Sequence, residues 1–271
     1  MNYLPTKRDV REQMEKKLPY RVVAPGKFAG LDYVLEGESI WGKAVKYEKD
    51  PSTEYISALT SLTYDPDLGD RRPSFVQAVL DACSPFQLVS KFLAADLVVD
   101  ALAQRDVEPN APDIYHIGSW FGQLAAITNA YGRNHFLIDK DPWCAWVTDR
   151  ILPMVFRSRT RSYRSRTVDV AEFKHPILGS AAAKEDFVTW TGLEHFDPRT
   201  VQEYIKNAPN LVTYIFMATD MPAPDHVYPY TSVSSILEVL ADLPMEISRT
   251  GALQSAVGNR YYVVAQTNTP F

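Results

Sequence analysis

The stretch APDIYHIGSWFGQLAAITNAYGRNHFLIDKDPWCAW, residues 111–146, places an apolar run, two glycines four positions apart, a second apolar run and an aspartate in close succession. IYHIG (114–118) reads as a buried strand, FGQLAAITNAY as a helix and NHFLID (134–139) as a second strand. Gly118 and Gly122 stand where a strand turns sharply into a helix, and between them the chain carries the bulky Trp120 and Phe121. Either Trp120 points away from the turn or walls a ligand, or the two rings are core plugs filling a site that binds nothing.

The alternation continues in both directions. Upstream, Phe86, Val89, Phe92, Leu93, Leu97 and Leu102 recur at helical spacing, and Pro85 suits the start of that helix. Downstream, PWCAWVTDRILPMVF predicts a helix to about Leu152, because Pro153 bends or ends it. VDVAEF (168–173) and DFVTWTG (186–192) read as strands, and PRTVQEYIKNA as a helix opened by Asp197. LVTYIFMAT (211–219) is a strand, and TSVSSILEVLADL is a helix capped by Thr231 or Ser232. MEISRTGAL and RYYVVAQTN, joined by a Gly-Asn turn, form a closing hairpin. Strands alternating with helices specify parallel neighbours joined by crossovers. The expected fold is α/β: a doubly wound, mostly parallel seven-stranded sheet with a C-terminal antiparallel hairpin. YDPDLGDRRP (64–73) is dense in turn formers, so residues 1–74 are expected to form an extension or cap and 75–271 the α/β domain.

Composition sets the outer limits. Hydrophobic residues at 46% and aromatics at 12% supply a packed core for 271 residues and exclude wholesale disorder. A net charge of -5 argues against a general nucleic-acid coat and leaves a local basic patch open. Cys83 and Cys144 alone make neither a disulfide framework nor a zinc-type pair, and the five histidines show no metal-site spacing, so no metal is expected. The polar start MNYLPTKRDVREQMEKK has no secretory core, and no apolar stretch is long enough to span a bilayer, so a cytoplasmic chain without membrane contact is expected.

In doubly wound sheets, ligands sit at the carboxyl ends of the strands beside the first strand. Glycines there let the backbone approach, and an acid about 20 residues on can bind ribose hydroxyls. Asp139 ends its strand 21 positions after Gly118. The order of elements and these motifs resemble the class I S-adenosylmethionine-dependent methyltransferases over about residues 86–266. In that family an acid precedes a G-x-G-x-G turn. Here His116 stands at the acid and Trp120 at the middle glycine, while Gly118 and Gly122 match. A weaker resemblance links G-S-W-F-G to turns in some phage-encoded members.

The resemblance implies S-adenosylmethionine as cofactor, with Asp139 on the ribose and Lys140 or Asp141 flanking the adenine. It implies Asp169 near the adenine amino group, Val170 against its ring, and Thr191 on the cofactor. Glu194 and His195, in DFVTWTGLEHF, are implied on the active-site side. His116 is expected at the methionine ammonium. A neutral imidazole accepts a hydrogen bond from it and a protonated one repels it, so binding would weaken as pH falls through about 6–7.

No (D/N)-P-P-(Y/F) follows the fourth strand and neither cysteine follows a proline, which disfavours amine methylation of DNA bases and covalent attack on cytosine. His195 is a candidate proton acceptor or a satisfied strand-end histidine. The loop DMPAPDHVYPY (220–230), with Asp220, Asp225, His226, Tyr228 and Tyr230, reads as an acceptor lid or a rigid surface loop. RSRTRSYRSR places Arg157, Arg159, Arg161, Arg164 and Arg166 around Tyr163, suited to phosphate contact and base stacking, or to a solvated or partner-binding loop. The expected function is methyl transfer to an unidentified acceptor. The alternatives are a catalytically silent interaction protein of the same fold, or an enzyme that cleaves S-adenosylmethionine without an acceptor.

Overall fold

The computed structural model describes residues 22–28, 31–37, 51–104, 112–129, 131–156, 162–173, 186–207 and 211–267. In chain order the strands are β1 (Val22–Phe28), β2 (Leu31–Gly37), β3 (Ile114–Ile117), β4 (Asn134–Asp139), β5 (Ser162–Thr167), β6 (Asp186–Trp190), β7 (Val212–Thr219), β8 (Met245–Ser255) and β9 (Gly258–Thr267). The helices are α1 (Pro51–Leu62), α2 (Arg72–Ala82), α3 (Pro85–Gln104), α4 (Gln123–Ile127), α5 (Pro142–Val155), α6 (Pro198–Lys206) and α7 (Val233–Leu240).

The strands form one sheet in the order β1-β2-β8-β9-β7-β6-β3-β4-β5. β5, β4, β3, β6 and β7 are mutually parallel, and β9 enters antiparallel between β7 and β8. Those seven strands are the expected doubly wound sheet with its C-terminal hairpin. The β1–β2 hairpin adds to it through antiparallel pairing of β2 with β8, so the chain's first described residues continue the main sheet.

Both faces of the parallel strands are buried, which is why they read as continuous apolar runs rather than alternating ones. Register puts Ile114, Leu137, Phe187 and Ile215 on one face. There Leu93 and Leu97 of α3 join Ile114, Phe187 and Ile215 in one cluster, while Leu137 packs with Val147 and Ile151 of α5. Tyr115, Ile117, Val188, Trp190 and Phe216 point the other way, onto Val201 and Tyr204 of α6 and Ile236 of α7. The caps are where polar side chains replace missing turns of backbone: Asp197 accepts from the Thr200 amide, and Ser232, not Thr231, forms a capping box with Ser235.

Two expectations need correction. VDVAEF is not a strand; the third parallel strand is Ser162–Thr167, the C-terminal half of the arginine run. It lies at the sheet's edge, where one side has no neighbour among the described residues and the polar residues of SYRSRT stay solvated. Residues 157–161, the rest of that run, lie outside the described residues. α5 also continues past the exposed Pro153 to Val155, because a proline in the last turn forfeits little. Within the segment assigned as an extension, α1 packs onto the domain: Tyr55 is fully buried and its hydroxyl donates to the Phe121 carbonyl at 3.0 Å.

At the amino ends of the parallel strands, Arg133 and Asn134 bind the buried Asp113 carboxylate, Arg133 through two bonds of 3.0 Å. Burial, and then the neighbouring Asp113, push Asp186 up to about 7. Its unfolded value is about 3.9, so the folded state binds more protons between these values, and stability falls as pH rises through that window. Asp186→Asn removes the slope. In urea denaturation the variant should be more stable than the parent at pH 8 and converge with it near pH 4.5. Parallel pH profiles would show that Asp186 is ionised throughout.

Candidate functional site

Because β3 to β7 are parallel, their carboxyl ends all open on one rim, and the segments after them meet there. The turn after β3 is fixed amide by amide. Gly118 and Ser119 donate to the Ile138 carbonyl at 2.9 and 3.3 Å, and the Trp120 amide donates to Asp139 Oδ2 at 2.9 Å. Gly118, Trp120 and Gly122 have φ of 60°, 47° and 72°, and among the described residues Trp120 is the non-glycine with positive φ. At Gly122 a Cβ would lie 2.8 Å from Leu137 and 3.1 Å from Thr148, so close helix-to-strand packing demands glycine. Trp120 therefore accepts the glycine conformation at a cost of roughly 1–2 kcal/mol. Its ring stacks on Phe121 at 4.9 Å and lies against the helical cluster of α1, α2 and α5. The turn keeps its shape, with Phe121 buried and Trp120 partly exposed beside it.

Asp139 Oδ1 accepts from the Asp141 amide at 3.1 Å and the Cys144 thiol also bonds the carboxylate, which still keeps lone-pair capacity for a ligand. Lys140 is exposed next to it. Asp141 caps α5 through the Trp143 amide at 2.8 Å. Asp169 is exposed beyond β5, its Oδ1 accepting from the Ala171 amide at 3.0 Å. Val170, expected against the adenine ring, is buried in the core with Ile117 and Ile138.

His116, expected at the methionine ammonium, has both ring nitrogens engaged within the protein. Its Nδ1 lies 2.8 Å from Thr189 Oγ1 and its Nε2 lies 3.0 Å from His135 Nδ1. His135 Nε2 lies 2.9 Å from the Tyr131 carbonyl, which can only accept. The donors thus run in one direction, from the Thr189 hydroxyl through both imidazoles to that carbonyl. Neither His116 nitrogen is left for a cofactor. Burial, then His135 and Lys91, hold His116 well below its ordinary pKa, so the expected loss of binding through about pH 6–7 has no titrating group here.

The segments after β6 and β7 make the other end of the rim. Glu194 is buried and its Oε1 accepts from Arg260 Nη1 at 2.9 Å, while Oε2 is buried without a partner. Arg260 also donates to Gln87 Oε1 at 3.3 Å. Thr191, expected on the cofactor, has its hydroxyl engaged by Lys91 Nζ at 2.6 Å. Burial, then Arg260, bring Lys91 down to about 7, with Glu194 opposing. His195 is half-exposed, its Nδ1 lying 3.2 Å from Asp225 Oδ2. The 220–230 loop is rigid at this end: the Val227 and Tyr228 amides donate to the Glu194 carbonyl at 2.8 and 3.2 Å. Asp220 is likewise spent, holding Asn259 and Tyr261. The loop sets the His226 ring 5.0 Å from that of His195.

Lys91 and Arg260 escaped the sequence. A signal existed for the first: Lys91 is the sole cation in the 20-residue helix PFQLVSKFLAADLVVDALAQ. Arg260 begins an apolar strand and carries no such mark.

This architecture is the class I, Rossmann-like methyltransferase fold. It is similar to magnesium protoporphyrin IX methyltransferase from Synechocystis PCC 6803, solved with bound SAM: TM-score 0.51, 15% identity, covering 83% of this chain and 100% of that one. It is also similar to the CurJ carbon methyltransferase, with TM-score 0.52 and 11% identity over 81% of this chain and 68% of that one. No protein-family model and no curated protein sequence matches the chain. Among the described residues, no helix is long and apolar enough to cross a membrane.

Two substitutions probe the turn. Trp120→Ala and Trp120→Gly both delete the ring, but only alanine keeps the left-handed strain. Glycine should therefore be the more stable of the two by about 1 kcal/mol, the reverse of the usual order. Equal midpoints in urea would remove the strain. His116→Ala should lower stability by roughly 1–3 kcal/mol by stranding Thr189 and His135. A variant as stable as the parent would mean that the chain of imidazoles contributes nothing.

Proposed function

We propose that the chain is an S-adenosylmethionine-dependent methyltransferase. The single observation that carries this is the Asp139 carboxylate, locked to the Trp120 amide yet retaining lone pairs at the open end of β4. The residues fit the cofactor. The left-handed turn exposes backbone at Gly118, where a Cβ would meet only Phe196 at 3.6 Å. Asp139 accepts ribose hydroxyls, and the exposed Asp169 accepts from the adenine amino group. The cofactor supplies a methyl group on a sulfonium that is already activated, leaving as a neutral thioether. The protein's task is then alignment and removal of a proton.

Alignment falls to the end of the rim after β6 and β7. Glu194 has one carboxylate oxygen on Arg260 and its backbone carbonyl on the loop, so it positions rather than reacts. His195, oriented by Asp225, is the group at that end able to take the acceptor's proton. Lys91 and Thr191 line the approach from α3. For an acceptor borne on a nucleic acid or a protein, contact through the arginine run falls, among the described residues, to Arg164 and Arg166, exposed on edge strand β5.

Calorimetry with S-adenosylhomocysteine tests the proposal. The parent should bind it. Asp139→Ala should bind about tenfold or more weakly, since a charge-assisted hydrogen bond contributes about 1.5–3 kcal/mol. The same variant should unfold earlier, because the Trp120 amide loses its acceptor, so affinity is compared below both midpoints. An unaltered affinity would remove Asp139 from the site. No binding by the parent would leave an interaction protein on a methyltransferase fold. Breakdown of S-adenosylmethionine without an acceptor would point to cleavage.

A further inference from the structure

The fold brings together three potential ligands that sequence spacing did not connect. A Glu194 carboxylate oxygen and one imidazole nitrogen each from His195 and His226 lie within 4.8 Å of one another. We propose that these three side chains form a binding site for one divalent transition-metal ion of the zinc class.

Four observations support the site. Glu194 Oε2 is buried with no partner while Oε1 is held by Arg260, so the carboxylate is fixed and one acceptor remains unused. A cation is a partner that such an oxygen can take, because the Arg260 contact is made through Oε1. His195 has its Nδ1 on Asp225, which leaves Nε2 to coordinate, the carboxylate–histidine–metal arrangement that fixes the ring's tautomer. Gly192 provides room for that ring: a Cβ there would lie 3.0 Å from His195 Cδ2. His226 comes from a loop tied by two amides to the Glu194 carbonyl, so all three ligands belong to one hydrogen-bonded unit.

Two imidazoles and one carboxylate suit zinc or cobalt and leave a fourth position open. Tetrahedral ligands at about 2.0–2.1 Å stand roughly 3.3 Å apart, so the half-exposed rings close inward by rotation of their side chains. The consequence for catalysis rests on the proposed methyltransferase function. With the ion present His195 is a ligand, not a base. An acceptor hydroxyl at the open position then loses its proton more readily and releases it to solvent before its oxygen attacks the methyl group.

The test uses the full chain, freed of metal with a chelator and titrated with Co²⁺ alone. Visible absorption should rise to a plateau at one equivalent, and Zn²⁺ should displace the signal. His226→Ala should weaken Co²⁺ binding at least tenfold, as should Glu194→Gln. Glu194→Gln also disturbs the Arg260 pair, so His226→Ala, on a surface loop, decides the matter. No stoichiometric signal, or wild-type affinity in His226→Ala, overturns the site. S-adenosylhomocysteine binding measured on the metal-free chain separates the two proposals. Cofactor binding without Co²⁺ binding removes only the cation, and Co²⁺ binding without cofactor binding removes only the methyltransferase.

Discussion

One hydrogen bond, from the Trp120 amide to the Asp139 carboxylate, joins the turn after β3 to the end of β4. It is made possible by the parallel pairing of the two strands, which brings Ile117 level with Ile138 and so places the turn beside Asp139. A carboxylate accepting from a backbone amide is worth more than a neutral pair, and it offsets the left-handed strain at Trp120. The same oxygens face the rim. Under the proposed function, folding and cofactor recognition share one acid, so a substitution at 139 would alter both together.

The large plan of the chain is legible because parallel strands are buried on both faces. IYHI, NHFLID, DFVTW and VTYIFMAT are mainly apolar, broken by a few polar residues such as His116, His135 and Thr189, and the helices between them carry recognisable caps at Asp197 and Ser232. β5 breaks that pattern for a physical reason. As an edge strand it has water on its free side, so SYRSRT looks like a solvated loop and the apolar VDVAEF beside it attracts the strand assignment. The hairpin at residues 22–37 escaped for a related reason: it pairs with β8, a partner more than 200 residues downstream, and local pattern says nothing about such pairing.

The site divides along the same line. Gly118, Gly122, Asp139 and Asp169 lie in short segments where a turn and its neighbours are read together. The environments of His116, Glu194 and Thr191 are made by register and by distant segments: His135 and Thr189 for the first, Arg260 for the second, Lys91 for the third. A histidine in a string gives no sign of whether both its nitrogens will be spent. Burial here turns an apparent pH sensor into a neutral structural link and gathers opposite charges around Glu194.

Extending the seven-stranded core by a hairpin also changes what the sheet offers to other chains. An open sheet always has two rows of unpaired backbone groups, and another copy can template on either. At one border stands β5, whose Arg164 and Arg166 would bring like charges together if two copies paired side by side. At the other stands β1, VVAPGKF, where Pro25 has no amide to donate and Lys27 adds a charge. The C-terminal half of β8, Gly251–Ser255, is thereby covered by β2 and withdrawn from self-association through its edge.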